Sequence, residues 1–304
     1  MSTASGRTLI TGATGLIGRA LLSRIENAVV LTRDPTRVGA RLGAVEAHAW
    51  KPEAEPPPQS ALRDVDVVFN LAGEPVAKGR WTREKKRRIR DSRVIGTRHL
   101  VAAIADLEPR PRVLVSASAS GYYGDRGDEK LHEGSTAGRG FLAEVCAEWE
   151  REALAARHLG VRVVCVRTGI ALAPGGGALA RMLIPFRMGL GGPLGNGRQW
   201  MPWIHIEDVV GLLQHAAGDD RMKGPVNAVG PRTATNAELA RALGRVLHRP
   251  AVLPIPRLML RVVFGEMSKM LTASQRVLPR VAESCGYVFG HADLEGALAD
   301  ILAV

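Results

Sequence analysis

Gly12, Gly15 and Gly18 stand in Thr11-Gly-Ala-Thr-Gly-Leu-Ile-Gly18, directly after a short apolar run beginning at Thr8. Glycines at this spacing can carry phosphate chemistry. The first lets a chain turn sharply, the second lets backbone amides approach a pyrophosphate, and the third lets the following helix pack closely. Thr14, Leu16 and Ile17 lie between them and belong to the same expected cradle. The context makes the motif specific, because a strand precedes it and a helix pattern (Arg19, Ala20, Leu21, Leu22, Ile25) follows.

Which dinucleotide would sit there is read at the end of the next strand, Ala28-Val-Val-Leu-Thr-Arg-Asp34. A carboxylate at that tip would take the ribose hydroxyls of NAD(H). Here Thr32 and Arg33 come first, and a guanidinium matches the oxygens of a 2′-phosphate. NADP(H) is therefore expected, with NAD(H) as the alternative should Asp34 turn inward.

The elements that must position these residues alternate through the first two thirds of the chain. Strands are expected at Thr8–Thr11, Val29–Thr32, Val65–Leu71, Arg112–Ser116 and Val161–Arg167, and helices at Leu16–Ile25, Thr82–Asp106 and Phe141–His158. This rhythm gives an α/β class with a doubly wound parallel Rossmann sheet. Pro52–Pro58 reads as a surface loop, and Gly224-Pro-Val-Asn-Ala-Val-Gly as a late strand returning to the sheet. After Thr168 glycine-rich loops and helix patterns take over. Residues 1–173 plus 206–230 are expected to form the nucleotide-binding domain, and 174–205 plus 231–304 a smaller C-terminal substrate-side lobe.

Composition bounds the rest. The chain has 304 residues, 46% of them hydrophobic, enough for a sizeable core. No run of 18 apolar residues exists, so no spanning segment and no membrane partner are expected, and no apolar signal precedes the first strand. Cys146, Cys165 and Cys285 are far apart, which fits a reduced cytoplasmic setting. No histidine pair shows ligand spacing, so no metal is expected. The formal charge is +11, but 34 of 41 basic residues are Arg, spread along the chain, and aromatic residues are only 4%. Specific nucleic-acid binding is thus not expected. The dense run Arg83–Arg93 reads as a helix with one solvated basic face.

Several phrases carry a family resemblance. Thr11-Gly-Ala-Thr-Gly-Leu-Ile-Gly, Arg93-Val-Ile-Gly-Thr and Trp203-Ile-His-Ile-Glu-Asp-Val resemble the extended short-chain dehydrogenase/reductases, the group of nucleotide-sugar epimerases and dehydratases. Asn70-Leu-Ala-Gly-Glu-Pro, Asp91-Ser-Arg, Gly121-Tyr-Tyr-Gly, Phe141-Leu-Ala-Glu-Val-Cys with Trp149-Glu, and Leu190-Gly-Gly-Pro-Leu-Gly are similar to an atypical subgroup, the YfcH-like epimerase family proteins. That subgroup carries a C-terminal domain of unknown function, and the resemblance covers essentially the whole chain. It implies an NADP(H)-binding oxidoreductase or epimerase-like protein acting on an unidentified small polar substrate.

The parent group's Tyr-x-x-x-Lys relay is absent. Four residues beyond Tyr122, Tyr123 and Tyr287 stand Arg126, Gly127 and His291; at the corresponding helix Phe141 replaces Tyr, and Val145 or Cys146 replaces Lys. Ser118 matches the group's catalytic serine, with Ser116 and Ser120 as register alternatives. Tyr122 and Tyr123 are candidates for the proton donor or for packing over the cofactor. Arg93 is expected to meet a cofactor anion, or else a structural carboxylate. Leu71, Ala72 and Gly73 are expected beside the adenine ribose and pyrophosphate, Ser116 beside the cofactor, and Ala171 near the nicotinamide. Cys146 is either a thiol acid or packing. A non-catalytic NADPH-binding sensor or scaffold is the alternative function that the missing relay favours.

Overall fold

The structure is a computed structural model and describes residues 6–36, 38 and 45–303. Its strands are β1 (Arg7–Thr11), β2 (Ala28–Thr32), β3 (Glu46–Ala49), β4 (Val65–Asn70), β5 (Val113–Ala119), β6 (Lys130–Leu131), β7 (Arg162–Thr168), β8 (Ile170–Leu172), β9 (Trp200–Met201), β10 (Trp203–His205), β11 (Gly224–Ala228), β12 (Ala234–Thr235) and β13 (Arg276–Val277). Seven of them form one parallel sheet in the order β11-β7-β5-β4-β1-β2-β3. The order reverses between β1 and β4, and the carboxyl ends at such a switch point are where ligands bind in open α/β sheets. The five expected strands are all present in the sheet, and Gly224–Ala228 returns to its edge beside β7.

The sheet is covered on both faces, because its strands are apolar on both sides. One core holds Ile10, Val30, Phe69, Val115 and Val166 against Leu21 and the Ile206–Gly218 helix. The opposite core holds Leu9, Val29, Val68, Leu114 and Cys165 against Leu100 and Ile104 of the Arg83–Ala105 helix and Ala153 of the Phe141–Leu154 helix. The last helix was expected to reach His158; it ends at Leu154, and residues 155–159 tighten into a 3-10 turn before Gly160 at φ +81°.

The basic run Arg83–Arg93 begins the 23-residue helix, capped by Thr82, whose hydroxyl accepts from Lys85 N at 3.1 Å. Its basic face is not simply solvated. Lys85 is buried and its Nζ donates to Glu74 at 2.6 Å, while Arg90 and Arg98 pair with Glu148 and Glu152 of the neighbouring helix.

A separate apolar cluster lies away from the sheet. Leu172, Leu179, Leu183, Phe186, Met201 and Trp203 meet Leu239, Leu243, Leu294, Leu298 and Ile301. It joins the helices Gly177–Arg187, Asn236–Val246 and Leu294–Leu302. Among the described residues no helix is long and apolar enough to cross a membrane.

Candidate functional site

The glycine loop folds tightly against the protein's own backbone at the switch point. Gly12 has φ +73°, and a Cβ there would lie 2.7 Å from the Leu71 carbonyl. A Cβ on Gly18 would lie 2.2 Å from Gly12 O, so the third glycine seats the helix on the loop itself. Thr14 and Gly15 are left exposed at the tip. Gly15 caps the Leu16–Leu22 helix with no side-chain hydrogen bond. The first-turn amides, which have no intrahelical acceptor, therefore face an exposed rim where an anion can take them.

Two polar groups align the floor of this loop. Thr11 Oγ1 accepts from Leu71 N and Ala72 N, both at 3.0 Å, and donates to Asn70 Oδ1 at 3.0 Å. Asn70 Nδ2 in turn donates to Thr97 Oγ1 at 2.8 Å and Ser116 Oγ at 3.2 Å, and Trp149 Nε1 donates to Thr97 at 2.9 Å. Thr11, Asn70, Thr97 and Ser116 are all buried, so this chain ties the ends of β1, β4 and β5 to two helices. Ser116 was expected beside the cofactor; its hydroxyl is fully buried and belongs to this chain instead.

The rim carries cations. Arg33 is exposed at the end of β2, without an acidic partner among the described residues, and its charge helps hold Glu74's carboxyl below its ordinary range. The main cause of that lowering is the hydrogen bond from Lys85. Thr32 Oγ1 accepts from Asp34 N at 3.3 Å, and Asp34 Oδ1 accepts from Thr36 at 2.7 Å, within its own loop. Arg93 NH1 donates to the carbonyls of Glu74 and Ile89, both at 3.0 Å. Its guanidinium lies so close over Gly73 that a Cβ there would be 2.8 Å away. No carboxylate pairs with Arg93 among the described residues, and burial pushes its pKa below the ordinary value. A desolvated, unpaired guanidinium is suited to an incoming anion. Ala171 is half-buried in β8.

The expected proton donors are placed differently. Ser118 is buried and donates to Glu150 Oε1 at 2.6 Å. Glu150 accepts two further bonds from Arg167, Nε and NH2, both at 2.8 Å. Arg167 NH1 reaches Tyr123 OH at 3.0 Å, and Tyr123 donates to Asn227 Oδ1 at 2.7 Å. Tyr123 has no exposed surface, and burial pushes its pKa up to about 12. Burial alone would lower Arg167, but Glu150's hydrogen bonds and charge outweigh that and hold it above its ordinary value. Ser118 and Tyr123, expected as candidate donors, are thus members of a buried lattice. Their hydroxyls are hydrogen-bonded to protein partners. Tyr122 remains half-buried, its ring stacked under the Arg167 guanidinium at 3.4 Å.

At the helix where the relay is missing, Phe141 packs edge-on to Trp81 at 5.3 Å. Val145 and Cys146 are buried, and burial pushes the Cys146 thiol up to about 11. Cys146 therefore stays a protonated thiol at neutral pH, packed in the helix interface. The chain signalled none of Glu150, Arg167, Thr97 or Asn227 as site residues.

Histidines far apart in sequence also meet. The rings of His205 and His291 stack at 3.6 Å, beside Asp300. His205 Nδ1 accepts from Glu207 N at 3.1 Å, so its neutral ring carries the proton on Nε2, which faces Asp300 Oδ2 across 3.2 Å. A protonated Nε2 has no lone pair for a metal, and the trio joins the last helix to β10 through neutral-ring contacts with a carboxylate.

Comparison with known proteins follows the same outline. A family model described as the NAD dependent epimerase/dehydratase family matches residues 8–230, and one described as a domain of unknown function (DUF1731) matches residues 255–301. Epimerase family protein Mb2239 of Mycobacterium bovis is 42% identical over 291 residues, covering 95% of each chain. The crystal structure of human epimerase family protein SDR39U1 (isoform 2) with NADPH is similar at a TM-score of 0.87 and 34% identity, covering 98% of this chain and 99% of that one. UDP-glucuronic acid 4-epimerase from Bacillus cereus shares the fold alone, with a TM-score of 0.78 at 15% identity over 98% of each chain.

Proposed function

Because this chain belongs to the NAD-dependent epimerase/dehydratase family, we propose that it binds NADP(H) in preference to NAD(H) and serves as an oxidoreductase or epimerase-like protein on a small polar substrate. The observation that carries the cofactor is Arg33, exposed at the tip of β2 where an NAD-reading carboxylate would stand. The human relative solved with NADPH supports the same choice. Gly12, Thr14, Gly15, Leu16, Ile17 and Gly18 would hold the pyrophosphate, Thr32 and Arg33 the adenosine phosphate, and Leu71, Ala72 and Gly73 the adjoining ribose. Arg93 would face the remaining negative charge, and Ala171 would border the nicotinamide. Residues 1–173 plus 206–230 would form the nucleotide unit, and 174–205 plus 231–304 the substrate side.

When bound, the reduced cofactor supplies a hydride. The chain's own part is to orient it and exclude water, and its proton supply departs from the parent group. With Ser118 and Tyr123 engaged internally, Ser120 and Tyr122 are the other hydroxyls of that loop; Ser120 is buried and Tyr122 half-buried, so Tyr122 is the proposed donor. No lysine stands four residues beyond it to assist, since that position is Arg126. The sensor or scaffold reading is kept by one observation, the burial of Ser118 against Glu150.

Calorimetric titration with NADPH and NADH tests the cofactor. Tighter NADPH binding is expected, and Arg33→Ala should lose about 1.5–3 kcal/mol of it, the worth of a charge-assisted bond. Equal affinities, or an unchanged preference in the variant, overturn the assignment. Turnover followed at the cofactor's absorbance, with metabolite pools and Tyr122→Phe, separates an enzyme from a cofactor-binding scaffold.

A further inference from the structure

Two stretches of the chain, residues 153–206 and 239–265, contain no aspartate or glutamate. They meet in space: Leu253 N donates to Gly191 O at 3.3 Å and Ile255 N to Pro193 O at 2.9 Å. Among the described residues ten large hydrophobic side chains stand exposed, and nine of them come from these two stretches. That concentration sets the patch apart from the scattered exposed aliphatics of an ordinary surface.

The Arg257–Phe264 helix is its centre. It buries only Leu260 and exposes Leu258 (72%), Met259 (55%), Val262 (66%) and Val263 (52%). Ile184, Met188 and Val252 extend the apolar area, the last two at 67% and 73% exposure. Ile184 and Arg187 also border a small cavity beside Ile301 and Leu302, whereas the exposed side chains of the Arg257–Phe264 helix stand clear of it. Arg187, Arg249, Arg257 and Arg261 are exposed among them, and none has an acidic partner among the described residues. The surface therefore offers protruding aliphatics edged by guanidiniums without an acidic partner among the described residues; Glu266, just beyond the helix, is taken by Lys86. That is the composition of an interfacial helix, whose apolar face enters the acyl boundary while its cations meet lipid phosphates.

We propose that this face adsorbs to an anionic membrane surface. The charge decides against two other occupants. A second copy would bring the same unpaired guanidiniums against themselves, and a nucleic acid would gain nothing from the aliphatics. The expectation of no membrane partner rested on the lack of a spanning segment, which does not bear on adsorption.

The full-length protein is sedimented with vesicles of phosphatidylcholine alone and of phosphatidylcholine containing roughly one third phosphatidylglycerol, at low salt and at about 0.5 M salt. Binding to the anionic vesicles is expected, weakened by salt and absent from the neutral ones. Met259→Glu with Val262→Glu, and separately Arg257→Gln with Arg261→Gln, should each lower partitioning about tenfold or more. Thermal unfolding and NADPH titration check that the variants fold; should either fail, the lipid and salt series on the wild-type protein decides alone. No binding to anionic vesicles, equal binding to neutral ones, or binding that folded variants retain overturns the proposal. So does a stable dimer in sedimentation equilibrium that the glutamates dissolve while vesicles bind nothing.

Discussion

The carboxyl edge of the sheet and the Leu172–Ile301 cluster are built on opposite terms. At the sheet edge, Thr11, Asn70, Thr97, Ser116 and Trp149 form one polar chain, and Ser118, Glu150, Arg167, Tyr123 and Asn227 another. The second cluster is almost wholly aliphatic, and its hydrogen bonds are mainly those at helix ends, such as the Thr235–Glu238 capping box. Apolar contacts tolerate small shifts, whereas a buried hydrogen bond holds only over a narrow range of distance and angle. The difference teaches where the molecule needs exact positions: at the ends of β1, β4, β5 and β7, beneath the proposed cofactor.

Four measurements can break or sharpen that contrast. Glu150→Gln leaves a buried guanidinium without its charge partner and should cost about 3–5 kcal/mol in urea unfolding. Replacing both ions, Glu150→Leu with Arg167→Met, should recover most of that stability while weakening NADPH binding. A single-variant cost under about 1 kcal/mol, the level of an exposed pair, would place the lattice on a par with the surface. In the aliphatic cluster Leu298→Ala should cost about 2–5 kcal/mol through its cavity and leave NADPH affinity unchanged. A matching loss of affinity would mean that the two regions are coupled. Thr235→Ala should cost about 1 kcal/mol by removing the cap, again without effect on the cofactor.

The smallest effect concerns acid. Burial, with His291 as the next cause, lowers the pKa of His205 below its usual 6.5. The unfolded chain therefore takes up this proton at a higher pH than the folded one. Stability from this group is unaffected above pH 7 and falls as pH drops below the unfolded pKa. His205→Asn, which keeps a capping side chain, should flatten that part of the melting-temperature profile between about pH 7 and 5. An unchanged slope would assign the acid sensitivity elsewhere.

Much of the sheet was legible because its strands are apolar runs bounded by glycines and helix patterns. The glycine loop was legible because strand, loop and helix adjoin in sequence. The strand Glu46–Ala49 was not, since an edge strand reading Glu-Ala-His-Ala has two alanines as its only apolar face and no β-branched or aromatic residue. Nor was the fate of Ser118 and Tyr123. Their types suggested chemistry, but whether they face a cleft depends on partners 32 and 104 residues away, Glu150 and Asn227. Sequence spacing carries no trace of such long-range pairings. Cys146, by contrast, sits where its helix pattern placed it, buried in the interface.

The helix Phe141–Leu154 has a consequence for how this chain can change. Restoring the missing relay on paper takes two substitutions, Phe141→Tyr and Val145→Lys. Val145 is 2% exposed, and Cys146 beside it is 4% exposed. An ammonium at 145 would be buried, and Glu150, the buried carboxylate of the same helix, is already held by Arg167 and Ser118. The intermediate carrying only the lysine would be disfavoured before the tyrosine could use it. Descent from an ancestor with the relay would thus be a one-way step: once the cavity for the lysine closed over with apolar packing, the old chemistry could not be regained one residue at a time.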